Sequence, residues 1–238
     1  MARERIFRFK QFEVINDKTP MKVGTDGVLL GAWCPLSGVK RVLDVGTGCG
    51  LIALMAAQRN CDCMIDAIDI DSFAIAEAKQ NFANSPWKNR LNATQADFKE
   101  YSKTDQTKYD LIVSNPPFFT NGVLPPESGR CDARHTNSLS FQDLLHGAKC
   151  MLSDNGKIAI ISPIENFKEI VEICKDKKLQ INEIVKVYSL KNCKPKRLLW
   201  VISAQSEGMK TSSIIIENEK GTYSTQYKEL CKEFYLKF

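Results

Sequence analysis

The sequence lacks several features that would mark whole classes of protein. Its 238 residues contain no apolar run near the roughly eighteen that a membrane-spanning helix needs. The basic start is not followed by an apolar segment and a small-residue cleavage site, so no secretory signal is expected. There is no internal repeat and no low-complexity segment. We therefore predict a cytoplasmic protein without a membrane span.

Metal ligands in a recognisable arrangement are also missing. The chain has two histidines, His135 and His146, and an odd number of cysteines, nine. Cys61 and Cys63 form C-x-C rather than the C-x-x-C spacing of structural zinc sites. We interpret the thiols as reduced and partly buried, and we predict no metal.

Charge of one sign is not in large excess, because the formal net charge is +5. Two clusters of basic residues stand out, one made of Arg3, Arg5, Arg8 and Lys10 and the other of Lys191, Lys194, Lys196 and Arg197. Such clusters follow nucleic-acid phosphates in some proteins and are ordinary solvated surface in many others.

Short apolar runs alternate with amphipathic segments through the middle of the chain. Strands are predicted in 41–46, 64–70, 91–98, 109–118 and 157–163, and helices in 51–60, 73–84, 141–152 and 165–177. This alternation is typical of an α/β fold with a mostly parallel sheet and helices on both faces. Residues 179–190 and 197–205 flank a short loop and predict a hairpin, so the last strand should be antiparallel.

The chain is interpreted as one domain, 1–238, with three parts. Residues 1–35 hold short N-terminal strands and a helix that Thr25 would cap and Pro35 would end. Residues 36–205 form the α/β core. Residues 206–238 form a C-terminal extension in which 212–218 predict one further short strand and 227–238 a helix.

A glycine-rich loop follows the first core strand and opens a helix. Its sequence, D-V-G-T-G-C-G at 44–50, permits a tight turn close to a ligand. Asp69, at the tip of the next strand, is placed to accept hydrogen bonds from ribose hydroxyls. Asp97, at the end of the third, is placed to accept one from an adenine amino group. A dinucleotide also fits such a loop, but Asp44 would repel a pyrophosphate and favours the cationic S-adenosylmethionine.

The motif Asn115-Pro116-Pro117-Phe118 ends the fourth core strand, at the edge where open α/β sheets bind substrates. Its two prolines stiffen the loop and cannot continue a central strand. The Asn115 side-chain oxygen and the Pro116 carbonyl can accept both hydrogens of a planar amino group. Phe118 can stack on a flat base. The motif predicts methylation of an amino nitrogen.

These motifs, in this order, resemble class I amino methyltransferases that act on nucleic-acid bases or on glutamine. K-V-G-T-D-G-V-L-L-G-A-W at 22–33, and Ala133-Arg134-His135 followed by Leu139-Ser140-Phe141, are similar to the bacterial tRNA(Val) adenine-N6-methyltransferases. The resemblance covers about residues 5–205. It implies a seven-stranded Rossmann-like sheet, S-adenosylmethionine as cofactor, and the adenine 3′ of the anticodon as target.

The resemblance also implies site residues. The cofactor would be bound by Gly24, Thr25, Asp26, Asp44, Gly46, Gly48, Asp69 and Asp97. The target base would be held by Asn115, Pro116, Pro117 and Phe118. The RNA contacts are predicted from charge and position instead: Arg134 follows a polar loop after the Asn115 motif, and Lys194, Lys196 and Arg197 belong to the second basic cluster. His135 is interpreted as a capping residue, with a general base as the alternative.

Other functions remain open from the sequence. A protein glutamine N5-methyltransferase uses a similar motif, although tyrosine usually follows it and a helical domain precedes it. An rRNA guanine N2-methyltransferase generally has a duplicated domain. A non-catalytic RNA-binding protein or chaperone, and a small-molecule methyltransferase, are further alternatives. Oligomeric state is not predicted.

Overall fold

The alternation of strands and helices predicted from the sequence is present in the structure, a computed structural model that describes residues 6–19, 22–117 and 139–238. The strands are β1 (Ile6–Arg8), β2 (Glu13–Ile15), β3 (Arg41–Val45), β4 (Met64–Asp69), β5 (Leu91–Gln95), β6 (Tyr109–Ser114), β7 (Leu152–Pro163), β8 (Gln180–Leu190), β9 (Arg197–Ser203), β10 (Lys210–Glu219) and β11 (Thr222–Tyr223). The helices are α1 (Thr25–Trp33), α2 (Leu51–Arg59), α3 (Ser72–Ala83), α4 (Phe98–Thr104), α5 (Phe141–Met151), α6 (Phe167–Asp176) and α7 (Thr225–Cys231). Six residues named above lie outside the described ranges: Arg3, Arg5, Phe118, Ala133, Arg134 and His135.

The main sheet has the order β11-β10-β8-β9-β7-β6-β3-β4-β5. Strands β3 to β8 run parallel to one another, and β9 is antiparallel to both β7 and β8. The predicted α/β class, mostly parallel sheet and antiparallel hairpin strand are therefore confirmed. The carboxyl ends of β3, β4 and β6 meet at one edge, where the glycine loop and the Asn115 motif begin.

The expected strand count was wrong, because the main sheet has nine strands rather than seven. The two additional strands come from the C-terminal extension. β10 pairs in parallel with the outer edge of β8, with Ile214 opposite Val187, and β11 folds back on β10. Without β10, the eleven-residue β8 would leave one row of backbone hydrogen-bonding groups unpaired.

Helices cover both faces of this sheet, as predicted. The apolar residues of α1, α2, α3 and α7 pack in one buried cluster, and those of α4, α5 and α6 pack in another on the opposite face. Apolar strand residues such as 111–113 of β6 are buried because both faces of the strand meet helices. No helix among the described residues is long and apolar enough to cross a membrane.

Helix α1 begins differently from the sequence prediction. Gly24 occupies the N-cap position and Thr25 is the first helical residue, and no side chain caps the helix there. Two glycines on its inner face, Gly27 and Gly31, let it approach α2 closely. A Cβ on Gly31 would lie 2.7 Å from Met55 Sδ, and one on Gly27 would lie 3.1 Å from Leu51 Cδ2.

The C-terminal extension ends beside the N-terminal hairpin formed by β1 and β2. Helix α7 is shorter than predicted, and the chain after it turns so that Phe234 is buried. The backbone N–H of Lys10 donates to Phe234 O over 2.8 Å, and the rings of Phe9 and Tyr235 stack with centroids 6.0 Å apart. The first and last described segments thus pack on each other.

Side chains near the start of α7 occupy the outer edge of β10. Gln226 donates to Ser213 O over 2.8 Å and accepts from Ile215 N over 3.2 Å. The Ser224 hydroxyl donates to Ile215 O, and its backbone N–H donates to Ile216 O over 2.8 Å. These groups bind Ser213, Ile215 and Ile216, which lie in the stretch of β10 that the two-residue β11 does not cover.

Candidate functional site

The glycine loop adopts a backbone conformation that favours glycine. Gly46, Gly48 and Gly50 have φ values of 70°, 57° and 85°, in the left-handed region that side chains disfavour. The N–H groups of Gly46 and Thr47 donate to Ile68 O at the end of β4, over 2.9 and 3.0 Å. A Cβ on Gly46 or Gly48 would meet no atom of the described residues within 4 Å, so the loop faces open space.

Asp44, in β3 just before the loop, is fully buried. Its Oδ2 accepts from the Thr47 hydroxyl over 2.7 Å and from Ala53 N over 3.2 Å. Among the described residues no donor reaches Oδ1. Burial raises the pKa of Asp44 to about 7, although these two hydrogen bonds oppose the rise. A nearby cation would favour the ionised form.

Asp69 ends β4 and faces the glycine loop. Its Oδ2 accepts from Gly48 N over 2.9 Å, and its Oδ1 accepts from Asp71 N over 2.9 Å. Burial raises the pKa of Asp69 above its usual range, while these N–H donors oppose the rise. The carboxylate therefore links the strand tip to the loop, at the place predicted for a ribose.

Asp97 follows β5 and caps helix α4, because its side chain accepts from Lys99 N over 2.9 Å. The preceding residue, Ala96, donates its N–H to Asp69 O over 3.0 Å. Asp97 is therefore next to Asp69, as the sequence predicted. One Asp97 oxygen is thus occupied by the hydrogen bond that caps α4, which was not predicted from the sequence.

Asn115, Pro116 and Pro117 continue from β6 at the same edge. The Ser114 hydroxyl donates to Val45 O over 2.8 Å, which fixes the end of β6 to the end of β3. Asn115 is half-buried, Pro116 is buried and Pro117 is exposed. The Asn115 amide lies near α1, since a Cβ on Gly27 would be 3.9 Å from its Nδ2. Phe118, the last residue of the motif, lies outside the described residues.

The N-terminus of α1 reaches this edge as well. Gly24 and Thr25 are exposed, whereas Asp26 is partly buried. At the other end of the helix, the Arg59 guanidinium donates to Gly31 O and Cys34 O, each over 2.9 Å. Residues Gly24–Asp26 are thus presented by a helix fixed on α2.

The basic residues between β8 and the start of β9 also lie at the carboxyl edge, and their side chains differ in exposure. Lys194 and Lys196 are exposed. Arg197 is partly buried, and its Nε lies 2.8 Å from Asp26 Oδ2. The structure therefore brings together Asp26, predicted at the cofactor, and Arg197, predicted at the RNA. Arg134, the other predicted RNA contact, lies outside the described residues.

Two functional candidates on α3, Glu77 and Asn81, were missed from the sequence. Glu77 accepts from the N–H groups of Asp17, Lys18 and Thr19, over 2.8, 2.5 and 3.1 Å, and from the Thr19 hydroxyl. Burial alone would raise the pKa of Glu77, but these hydrogen bonds lower it below the usual value. The carboxylate thereby holds the segment that leads to α1.

Asn81 links the same segment to the glycine loop. Its Oδ1 accepts from Ile15 N over 2.8 Å, and its Nδ2 donates to Ile15 O and to Cys49 O, over 2.9 and 2.8 Å. Both Glu77 and Asn81 are polar at positions four apart on the buried face of α3. That pattern is the sequence signal that could have identified them.

The site fits S-adenosylmethionine in three respects. The Asp44 oxygen that no donor of the described residues reaches suits a cationic group, the open space before Gly46 and Gly48 leaves room for a ligand, and the Asp69 carboxylate, which is hydrogen-bonded to Gly48, offers acceptors for hydroxyl groups. The residues that could hold it are the N-terminus of α1 and the ends of β3, β4 and β5.

Comparisons with known proteins agree with this geometry. Residues 28–184 match the family model described as the methyltransferase small domain. The tRNA1(Val) (adenine(37)-N6)-methyltransferase of Parabacteroides distasonis is 44% identical over 97% of this chain and 98% of its own length. The proteins of that name from Bacteroides fragilis and Aeromonas salmonicida are 42% identical, the latter over the full length of both chains.

Solved structures share the fold at lower identity. A predicted O-methyltransferase from Agrobacterium tumefaciens superposes with a TM-score of 0.68 at 16% identity, covering 88% of this chain and 96% of its own. A ribosomal protein L11 methylase from Lactobacillus delbrueckii gives a TM-score of 0.54 at 16% identity, covering 83% and 98%. Both support the Rossmann-like fold.

Proposed function

Because the chain belongs to the family of the tRNA1(Val) (adenine(37)-N6)-methyltransferases, we propose that it methylates the exocyclic N6 of an adenine in tRNA with S-adenosylmethionine as donor. The proposed target is the adenine 3′ of the anticodon in tRNA(Val). The observation that carries the proposal is the position of Asn115-Pro116 beside the glycine loop. That position is fixed by the hydrogen bond that the Ser114 hydroxyl donates to Val45 O.

The proposed chemistry depends on orientation rather than on a base. When bound, S-adenosylmethionine supplies an electrophilic methyl: the N–C bond forms as the S–C bond breaks, the sulfur keeps the electron pair, and the amine proton goes to solvent. The Asn115 side-chain oxygen and the Pro116 carbonyl accept the two hydrogens of the adenine amino group. This directs the nitrogen lone pair toward the donor.

The cofactor is proposed to bind across the ends of β3, β4 and β5. Asp44 and the glycine loop, at Gly46 and Gly48, take its methionine end together with Gly24, Thr25 and Asp26 of α1. Asp69 accepts from the ribose hydroxyls, and Asp97 from the adenine amino group. Their adjacency along the carboxyl edge supports these roles.

The RNA is proposed to approach from the β6–β9 side of the same edge. Lys194 and Lys196 are exposed there and suit phosphate contacts. Two residues outside the described ranges belong to the proposal as well. Phe118 is proposed to stack on the target base, and Arg134 is proposed to contact the RNA.

We also treat residues 1–238 as one methyltransferase domain that acts in the cytoplasm, where tRNA is modified. The pairing of β10 with β8 supports the single domain, since it joins the extension to the core sheet.

The experiment is methyl transfer to RNA from a strain that lacks this protein. The purified chain is incubated with labelled S-adenosylmethionine and total RNA, and the nucleosides are analysed. Label in N6-methyladenosine of the tRNA(Val) fraction is expected. Label in N2-methylguanosine of rRNA, or in protein after nuclease treatment, would contradict the proposal.

A further inference from the structure

Arg197 differs from the lysines that precede it in the sequence. Lys194 and Lys196 are exposed, and no acidic side chain of the described residues pairs with them. Only 33% of the Arg197 side chain is exposed, and its Nε donates to Asp26 Oδ2 over 2.8 Å. Three neighbouring cations therefore have two different environments.

The position of Arg197 is fixed by the sheet. As the first residue of β9 it lies between two strands, opposite Pro163 of β7 and Val187 of β8. Lys196 N donates to Val187 O over 2.9 Å just before it. Arg197 Nη1 donates to Lys196 O over 3.1 Å. Its guanidinium is thus held by contacts within the protein.

The partner of Arg197 lies at the N-terminus of α1. Asp26 is in the first turn of that helix, and 27% of its side chain is exposed. The next residue, Gly27, packs tightly on Leu51, since an added Cβ would lie 3.1 Å from Leu51 Cδ2, and the same Cβ would be in ordinary contact with Asn115 Nδ2 at 3.9 Å. The ion pair therefore acts one residue away from the contact between α1 and the catalytic motif.

We propose that Arg197 is a positioning residue for the methyl-donor side of the site, and that its ion pair with Asp26 holds the N-terminus of α1 against Asn115 and the glycine loop. Phosphate contacts in this stretch then belong to Lys194 and Lys196. The inference rests on the proposed function for its RNA part only. A partly buried ion pair loses more than an exposed one when one partner is removed, because a charge is left without its counter-ion.

The first test measures S-adenosylmethionine binding by calorimetry without RNA. Arg197→Ala is expected to weaken binding about tenfold, which corresponds to about 1.4 kcal/mol. Arg197→Lys should recover part of this loss, since a lysine keeps the charge but not the geometry of the guanidinium. Unchanged affinity in Arg197→Ala would overturn the proposal.

A double-mutant cycle separates the ion pair from general damage to the fold. Asp26→Ala and Arg197→Ala are measured singly and together, each checked for folding by thermal melting. The double variant should bind S-adenosylmethionine about as well as the weaker single variant. Additive losses would mean that the two residues act independently, and would overturn the proposal.

The matched control is Lys194→Ala/Lys196→Ala, measured for tRNA binding at several salt concentrations. This variant should keep its S-adenosylmethionine affinity, and the slope of log affinity against log salt should fall by about 1 to 2. Arg197→Ala should keep the wild-type slope, and a reduced slope would identify Arg197 as a phosphate contact. If the wild-type chain itself does not bind tRNA, the proposed function fails. The cofactor test of Arg197 still stands in that case, because it uses no RNA.

Discussion

The two sides of the carboxyl edge are built differently. On the β3–β4–β5 side, backbone N–H groups bind buried carboxylates and carbonyls: Gly48 donates to Asp69, and Gly46 to Ile68 O. On the β6–β9 side, the exposed side chains of Lys194 and Lys196 lie in the segment before β9. The first arrangement is set by short-range backbone geometry, and the second by side chains that can adjust. A small cofactor of constant shape suits the first, and a large folded RNA suits the second.

The largest expected effect comes from the motif where the two sides meet. Asn115→Ala should lower kcat by about two orders of magnitude, because the target amino group loses an oriented acceptor. Affinity for S-adenosylmethionine should stay near wild type. Steady-state kinetics and calorimetry measure the two quantities, with exposed Asn89→Ala as the control. A kcat within a few-fold of wild type would show that Asn115 does not orient the base.

Rigidity of the cofactor side can be tested at Gly50. Gly50→Ala should reduce the free energy of unfolding by about 3 kcal/mol, since φ is positive and the new Cβ would lie 2.5 Å from Phe82 Cε1. Gly38→Ala is the matched control, because φ is also positive but the new Cβ meets nothing within 4 Å. It should cost about 1 kcal/mol. Equal losses in urea unfolding would mean that the Phe82 ring moves aside.

The connection from α3 to the N-terminal segment should have an intermediate effect. Glu77→Gln should reduce the free energy of unfolding by about 2 kcal/mol, because an amide N–H₂ would face backbone donors that now bind a carboxylate. Glu13→Gln, in an exposed pair with Arg8, serves as the control and should leave stability unchanged. If the two variants melt alike, the buried carboxylate contributes little to holding residues 17–19.

The smallest expected effect is a pH dependence on the cofactor side. The folded-state pKa of Asp44 is raised to about 7 by burial, with a smaller contribution from Asp69, so its stabilising contribution is complete below about pH 4 and is lost as pH rises to 7. Asp44→Asn removes this dependence. The stability of ligand-free Asp44→Asn relative to wild type should therefore increase by about 1 to 2 kcal/mol between pH 6 and pH 8. A constant difference across that range would show that Asp44 ionises normally in the folded chain.

Sequence reasoning identified the parts of the site that are contiguous in the chain. The glycine loop, Asp69 and Asn115 each follow an apolar strand directly, and parallel strands bring such positions to one edge. The antiparallel β9 followed from a short loop between two apolar runs. The family assignment is confirmed by relatives above 40% identity, which favours tRNA adenine over the glutamine and guanine alternatives.

Features that depend on distant pairings were not predictable. Asp26 and Arg197 are 171 residues apart, and neither carries a local signal for the other. Strand β10 begins with exposed polar residues, so its ten-residue length and its parallel pairing with β8 are not visible as an apolar run. The polar pattern on α3 could have singled out Glu77, but its partner, the backbone of 17–19, leaves no trace in the sequence.

The edge of β10 has a consequence for the protein in a crowded cell. An exposed strand edge can recruit the strands of other molecules and start aggregation. Here Gln226 and Ser224 bind the backbone of Ser213–Ile216 with their side chains and one N–H, in place of a further strand. The middle of this edge strand is therefore already bonded within the chain and is not open to a strand from another molecule. We expect this end of the sheet to resist self-association, even when the protein is concentrated.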